Sequence, residues 1–308
     1  MQEFDLIARY FALLATTPEA FGLKDDAAII RPRPGFDLVV TTDQIAAGTD
    51  FFTDDPADTV AKKALRVNLS DLAAKSAQPE YYLLNLALPR PPREDWLVDF
   101  ARGLAEDQRQ FGISLLGGDT SATEGPLSIS VTAMGFVPEG RMVKRGDAKV
   151  GDAVYVTGTI GDSGGGLALR RGEPNALNEA ARAYLVDRYR VPQPPVKFGA
   201  SLCDIAHAGV DISDGLIADL GHLALASGVG IALEGEQVPL SPALKALWEE
   251  STLARAVAAG DDYQIAFTAP QGVRGPFTCI GQVVAGEGVS LSVNGEEVVI
   301  PQPGYRHF

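Results

Sequence analysis

Many of the aspartates in the sequence fall in short segments beside Gly, Ala, Ser or Thr. These are KDDAA (Asp25, Asp26), TTDQ (Thr41, Thr42, Asp43), NLSDLAAKSA (Ser70, Asp71), LLGGDTS (Gly117, Gly118, Asp119, Thr120), DISDGL (Asp211, Ser213, Asp214) and AAGDDYQI (Asp261, Asp262). An aspartate side chain is short, so it holds a hard cation close to the backbone, and small neighbours leave room for a phosphate. Magnesium takes oxygen ligands, keeps several waters and commonly bridges carboxylates to substrate phosphates. Several aspartates on one cleft would repel one another without a cation. The segments therefore point to a site for a magnesium-bound nucleotide. Each also has a plainer reading, because an Asp after a strand is commonly a turn residue or a helix N-cap. On that reading Asp214 caps the helix beginning near Leu216, and GGDTS is a tight turn. GTIGDSGGG (Gly158–Gly166) fits either a phosphate cradle at a helix start or an ordinary turn.

Other phosphate signatures are missing. The sequence has no GxxxxGK[ST], no HRD…DFG set and no GxGxxG after a strand, and GxSxG occurs only as GDSGG (Gly161–Gly165) within the glycine-rich segment above. Cys203 and Cys279 form no CxxC, and their apolar surroundings predict inert core thiols. His207, His222 and His307 form no ligand cluster and are expected to be ordinary surface or core residues.

The elements that must position these acids can be read from periodicity. Glu3–Ala15 has helical spacing. Strands are expected at Asp37–Thr42 (ending in Asp43), Glu80–Leu88, Ile113–Leu116 and Leu127–Val137, with helices at Asp58–Ala77 and Arg93–Phe111. The polar stretch PEGRMVKRGDAKVGD then marks a boundary, giving expected domains of 1–148 and 149–308. Beyond it the pattern predicts strands at Ala153–Thr157, Val210–Ile212, Ile231–Leu233, Tyr263–Thr268, Cys279–Val284 and Val289–Val293. Helices are expected at Ser163–Arg171, on both sides of PQPP (Pro192–Pro195) and at Leu216–Ser227. Alternating strands imply sheets with one face covered by helices, an α+β arrangement.

The chain has 308 residues, 46% of them hydrophobic, which is room for about two domains with sizeable cores. Its 40 acidic residues against 26 basic give a formal charge of -14. That balance argues against nucleic acid and anionic membrane as partners. An acidic chain that binds phosphates needs cations between the two. The opening MQEFDLIARYFALLATTPEA carries early acids and no basic n-region, and no run of about 18 apolar residues occurs. The expectation is a soluble cytoplasmic protein.

The ordered set DDAA, TTDQIAAGTDF, NLSDLAAKSA, LLGGDTS, VYVTGTIGDSGGGLAL, DISDGLIADLGHLALASGVG and AGDDYQIAF resembles the thiamine-monophosphate kinase family, from Phe4 to the closing GYRHF. That family shares a superfamily with aminoimidazole ribonucleotide synthetase, selenophosphate synthetase and a hydrogenase maturation factor. The resemblance implies two α+β domains: an N-terminal domain that binds ATP and magnesium and dimerises through its sheet, and a C-terminal domain packed beside it. It implies a cytoplasmic, homodimeric phosphotransferase acting on ATP and thiamine monophosphate. The γ-phosphoryl group would pass directly and in line to give thiamine diphosphate, with several magnesium ions and no nucleophilic side chain.

Carried over by position, the resemblance implies Asp26, Thr41, Thr42, Asp43, Asp71, Asp119 and Asp211 as metal ligands, with Asp214 holding a further ion. It implies Phe111, Gly118, Asp119, Arg145 and Ser213 as ATP contacts, and Asp50, Asp261 and Tyr305 as substrate contacts. Three positions depart from the family pattern: Lys24 stands for a glycine, Asp50 for a frequent histidine and Asp261 for a glutamate. Phe111 stands where a tyrosine is frequent. Selenophosphate synthetase needs a reactive Cys near the N-terminus, but the first here is Cys203. The hydrogenase factor ends in Cys, but this sequence ends in Phe308. The alternatives are an aminoimidazole ribonucleotide synthetase-like ATP-dependent ligase and a nucleotide-binding protein without turnover. TTDQIAAGTDF and GYRHF favour the kinase over the first, and the intact acid set argues against the second.

Overall fold

The computed structural model describes residues 3–305. His307, within the closing GYRHF, lies outside them. The chain divides into two compact units, one running to Leu72 and including Ala77–Gly140, the other formed by Ala73–Ser76 and the chain from Arg141. Both mix sheet and helix, as the α+β expectation requires.

The first unit opens with a helical stretch: α1 (Glu3–Leu6), a π-helical turn (Ile7–Phe11) and a 3-10 turn (Ala12–Leu14). Its sheet comprises β1 (Phe36–Ala46), β2 (Gln78–Pro89), β3 (Ser114–Thr123) and β4 (Ser128–Pro138), in the order β1-β4-β2-β3. β2 and β3 run parallel, while β4 runs antiparallel to both β1 and β2. The helices are α2 (Ala57–Ala74) and α3 (Glu94–Phe111). α3 stops at Gly112, whose left-handed backbone (φ 69°) closes the last turn.

α2 is buried along most of its length because Val60, Ala61, Ala64, Leu65, Val67, Leu69 and Leu72 recur at helical spacing. It packs closely on α3 at Gly103, where a Cβ would come within 2.4 Å of the Asp58 carbonyl oxygen. Between the two helices Arg66 grips buried Asp107 in a bidentate pair, Nε to Oδ2 at 2.8 Å and a terminal nitrogen to Oδ1 at 2.7 Å. Two-pronged pairing of this kind satisfies charges that burial would otherwise leave costly.

Two expected strands of this unit run well past their sequence reading. β1 continues through Asp43 to Ala46, and β3 continues through GGDTS to Thr123. Asp43 and Asp119 are thus interior strand residues, not strand-end ones, and GGDTS is not a tight turn. The polar run GGDTS reads as a turn by composition, but pairing with β2 carries it into the sheet. A bulge shifts the register so that Tyr82 pairs with Leu115 and Leu83 with Gly117.

The second unit has a seven-stranded mixed sheet in the order β11-β10-β7-β9-β5-β8-β6. Its strands are β5 (Ala153–Thr157), β6 (Ala208–Asp211), β7 (Gly230–Glu234), β8 (Ile265–Ala269), β9 (Phe277–Val284), β10 (Gly288–Val293) and β11 (Glu296–Glu297). The helices are α4 (Asp162–Arg170), α5 (Glu179–Arg190), α6 (Val196–Gly199), α7 (Leu216–Ser227), α8 (Pro242–Trp248) and α9 (Thr252–Ala256). α7 packs Leu216, Leu220 and Leu223 with Val154, Val156, Val210 and Ile231 in one core. Tyr155, Phe267, Phe277 and Phe198 form an aromatic group, with Tyr155 stacked on Phe267 at 5.3 Å between ring centres. Every residue of β5, β6 and β8 is buried. These three strands, β6 at the end of the sheet among them, are covered on both faces, unlike the one-sided sheet expected.

Neither cysteine is a core thiol: Cys203 is half-buried and Cys279 exposed. Among the described residues no helix is long and apolar enough to cross a membrane.

The paired glycines of GGD face different surroundings. At Gly118 (φ 151°) a Cβ would lie 1.8 Å from the Leu84 carbonyl oxygen, whereas at Gly117 it would meet only the Leu83 side chain at 3.7 Å. We predict that Gly118→Ala costs about 2 kcal/mol or more in urea unfolding, and Gly117→Ala less than about 1 kcal/mol. Equal costs would contradict this account of the strand.

Candidate functional site

In the first unit α2 delivers Asp71 to β1. Successive strand residues point to opposite faces, so Thr41 and Asp43 share the face that meets α2. Thr41 Oγ1 donates to Asp71 Oδ2 at 2.5 Å. Asp43 is pushed up to about 7, chiefly by burial, then by the charge and hydrogen bond of Asp71, with Asp50 adding to it. Two carboxylates held this closely are unfavourable when both are charged. Near neutrality a proton or a cation on the pair relieves that repulsion.

Thr42 points to the opposite face, where its hydroxyl meets Thr132 Oγ1 at 3.1 Å and donates to the Val131 carbonyl oxygen at 3.1 Å. Asp50 lies in the turn after β1. Its Oδ2 accepts from the Ala46 N–H at 2.7 Å, and its backbone carbonyl accepts from the buried Lys63 Nζ at 2.8 Å. Lys63 went unread in the sequence, since a lysine on a helix ordinarily faces water.

A second group surrounds a cavity of about 640 Å³ in this unit, lined by Asp25, Asp26, Gly117, Gly118, Asp119 and Asn85 among others. The segment leading from α1 provides part of the lining through Ile7, Phe11 and Leu23. Asp26 and Asp119 are both exposed. Lys24, next to Asp25, is exposed as well. Phe111 is not among the lining residues. It ends α3 half-buried, with the Arg66 guanidinium 5.2 Å from its ring centre.

The remaining candidates stand in the second unit. Asp211 ends β6 and is buried. Ser213 and Asp214 follow in the loop before α7, whose N-cap is Gly215. Asp214 is therefore not the cap. The carboxylate that closes this helix start belongs to Asp219, buried at 2% exposure. Its Oδ2 accepts from the N–H groups of Ser213, Asp214 and Gly215 at 3.0, 3.0 and 3.1 Å. Burial, then the Asp214 charge, push Asp219 up to about 7 against these bonds. An acid in the first turn of a predicted helix was the available signal for it.

Asp261 has a left-handed backbone (φ 67°), as does Tyr263 (φ 50°), a conformation that costs free energy for residues other than glycine. The Asp261 N–H donates to the Ser213 carbonyl at 2.8 Å, and the Tyr263 hydroxyl donates to Asp261 Oδ1 at 3.1 Å. Tyr305 is exposed, and its N–H donates to the Asp214 carbonyl at 2.9 Å. Arg145 is exposed, with its carbonyl accepting from Ser227 Oγ at 2.8 Å.

GTIGDSGGG spans the turn between β5 and α4 and the first part of α4. Buried Asp262 accepts from the N–H groups of Gly161 and Ser163 at 2.6 and 3.3 Å, so a carboxylate of the chain already occupies the start of α4. Burial raises Asp262 well above the usual carboxylate range. Gly165 and Gly166 leave room for Leu185 and Tyr189 of α5. The glycines of α4 are therefore packing residues, while Gly158, Thr159 and Ser163 line a small cavity with Arg188.

The donors collected on β1, α2 and β3 are all oxygen, the set that suits magnesium. Among the described residues no three His, Cys, Asp or Glu side chains form a ready-made cation cage. Asp43 with Asp71 is a close pair, and Asp26 with Asp119 lines one cavity. Pairs of carboxylates that leave coordination positions to phosphate oxygens and water are the usual setting for magnesium bound with a nucleotide. The residues fit that ion.

Two family models match the chain: AIR synthase related protein, N-terminal domain, over residues 24–137, and its C-terminal domain over residues 149–294. The sequence is 41% identical to the thiamine-monophosphate kinase of Escherichia coli (strain K12), covering 99% of this chain and 98% of the relative. The crystal structure of thiamine-monophosphate kinase from Stenotrophomonas maltophilia K279a superposes with a TM-score of 0.86 at 39% identity, covering 97% of this chain and 98% of that one. AaThiL complexed with AMPPCP and TMP gives a TM-score of 0.82 at 33% identity, covering 99% and 97%. The chain belongs to the thiamine-monophosphate kinase family, built on the two AIR synthase related domains.

Proposed function

We propose that this protein transfers the γ-phosphoryl group of ATP to thiamine monophosphate, giving thiamine diphosphate and ADP. The observation that carries the reading is the Asp43–Asp71 pair beside Thr41, in a chain similar end to end to thiamine-monophosphate kinases. A structural neighbour complexed with AMPPCP and TMP supports both substrates.

In the reaction a terminal phosphate oxygen of thiamine monophosphate attacks the γ-phosphorus as the bond to the β-phosphate oxygen breaks. ADP leaves, and no side chain takes the phosphoryl group. Such transfer depends on positioning and on neutralising phosphate charge more than on covalent chemistry. Bound magnesium supplies that neutralisation. Asp26, Thr41, Asp43, Asp71, Asp119, Asp211 and Asp214 are the residues that would hold it, with Thr42 a further candidate on the opposite face of β1 from the Asp43–Asp71 pair. Gly118 and Asp119 lie along the nucleotide phosphates. Arg145 grips a phosphate, and Ser213 and Phe111 contact the nucleotide. Asp50, Asp261 and Tyr305 face the substrate. Tyr305 offers its ring to the cationic thiazolium, and the acids offer their charge.

The protein acts as a cytoplasmic homodimer. β1 is an edge strand, and its face away from α2 carries Phe36, Leu38 and Val40 at 48%, 41% and 55% exposure. An apolar edge of this kind invites a second copy. We expect light scattering to give twice the 32.5 kDa chain mass at micromolar concentration, and Val40→Glu to lower it. A wild-type mass near 32.5 kDa would count against the dimer.

The test of the activity is ADP release coupled to chromatography of the thiamine product. Product should form only with ATP, thiamine monophosphate and Mg²⁺, and EDTA should abolish it. Asp71→Asn should lower turnover by about 1,000-fold or more, while changing unfolding free energy by less than about 1 kcal/mol, since it relieves a repulsion. Near-normal turnover in Asp71→Asn would remove the cation role of this residue.

A further inference from the structure

The loop from Ile212 to Gly215 is held from both sides. On one side the buried Asp219 Oδ2 accepts three consecutive backbone N–H groups, those of Ser213, Asp214 and Gly215. On the other, the loop carbonyls accept from the second half of the site: Ile212 from the Tyr263 N–H at 2.8 Å, Ser213 from the Asp261 N–H at 2.8 Å and Asp214 from the Tyr305 N–H at 2.9 Å. The packing leaves little slack. A Cβ at Gly260 would come within 2.5 Å of the Ser213 carbonyl oxygen, and one at Gly304 within 2.8 Å of the Asp214 carbonyl oxygen.

We propose that Asp219 is a positioning residue, whose carboxylate fixes the Ser213–Gly215 backbone and thereby aligns Ser213 and Asp214 with Asp261 and Tyr305. The inference rests on the kinase reading, because the residues it aligns are the nucleotide-side and substrate-side groups of that reaction. Three consecutive peptide N–H groups converging on one oxygen leave the loop one conformation. The carbonyls on the other side of the same peptides then have fixed directions. A small rotation of any of these peptides displaces Asp261 or Tyr305 together with Ser213. Asp219 touches neither substrate itself, and its effect passes through the backbone.

The account distinguishes Asp219→Leu, which removes the acceptor, from Asp219→Asn, which keeps one oxygen. A misplacement of about 1 Å costs about 100-fold in rate. Asp219→Leu should lose about 100-fold in kcat/KM, with KM for both ATP and thiamine monophosphate rising together. Asp219→Asn should recover most of that, to within about tenfold of wild type, since hydrogen bonds to a neutral acceptor are weaker than those to a charged one. The readout independent of activity is hydrogen exchange of the intact protein. Peptides covering 211–216, 258–265 and 300–305 should exchange faster together in Asp219→Leu, while peptides from the first unit keep their wild-type rates.

Faster exchange confined to 211–216, with 258–265 and 300–305 unchanged, would overturn the proposal. So would a folded variant with wild-type KM and kcat. If Asp219→Leu does not fold, Asp219→Asn carries both measurements, and wild-type exchange and kinetics there with normal unfolding free energy would also overturn it. If the wild-type protein forms no thiamine diphosphate, the kinase reading fails, while the exchange pattern still reports whether Asp219 holds the two segments.

Discussion

Asp43 and Asp71 press two carboxylates together where β1 meets α2, and this repulsion sets the terms for the first unit. Burial and mutual charge raise Asp43 to about 7, so a proton or a cation on the pair relieves the repulsion. What forces the acids together is the rest of the unit. The apolar stripe of α2 fixes its height on the sheet, and Gly103 lets α3 close against it. The Arg66–Asp107 pair locks the two helices in register. Hydrophobic burial over 18 residues of helix opposes the local repulsion of two charges. A cation converts that cost into binding.

The second unit solves a different problem. Its acids have to be aimed, not crowded. Asp211 sits at the end of a fully buried strand, where the sheet holds its backbone. Asp214 lies in a loop that would be mobile without a partner, and Asp219 supplies one from the first turn of α7. Left-handed backbones at Asp261 and Tyr263 store strain beside it, and the carbonyls of Ile212 and Ser213 keep those residues in place. Strain of this sort persists only where surrounding contacts over-determine the conformation.

Much of this was legible in the sequence. Leu216–Ser227 was read with both ends correct, because apolar spacing and the closing Gly228 agree. β2, β4, β9 and β10 were read within about two residues, β4 from its alternation. Chemistry concealed the rest. GGDTS looks like a turn because its residues are small and polar, yet pairing with β2 draws it into a strand. The Cys279 side chain falls on the outward face of β9, which a mostly apolar segment does not reveal. The acids of the site could be named from their segments, but not sorted. Nothing in the order of residues says that Asp43 meets Asp71 while Asp26 and Asp119 line one cavity. Lys63 and Asp219, which hold the functional loops from beneath, look in sequence like ordinary helix charges.

The central claim is that the Asp43–Asp71 pair exists to hold a divalent cation with the nucleotide. Electron paramagnetic resonance of free Mn²⁺, titrated into the protein with a non-hydrolysable ATP analogue, tests it directly. Mn²⁺ stands in for Mg²⁺ as a hard, oxygen-seeking ion. Wild-type protein should remove Mn²⁺ from solution, and the Asp43→Asn, Asp71→Asn double variant should remove at least one equivalent less at the same nucleotide occupancy. Equal Mn²⁺ uptake by the two proteins would contradict the account.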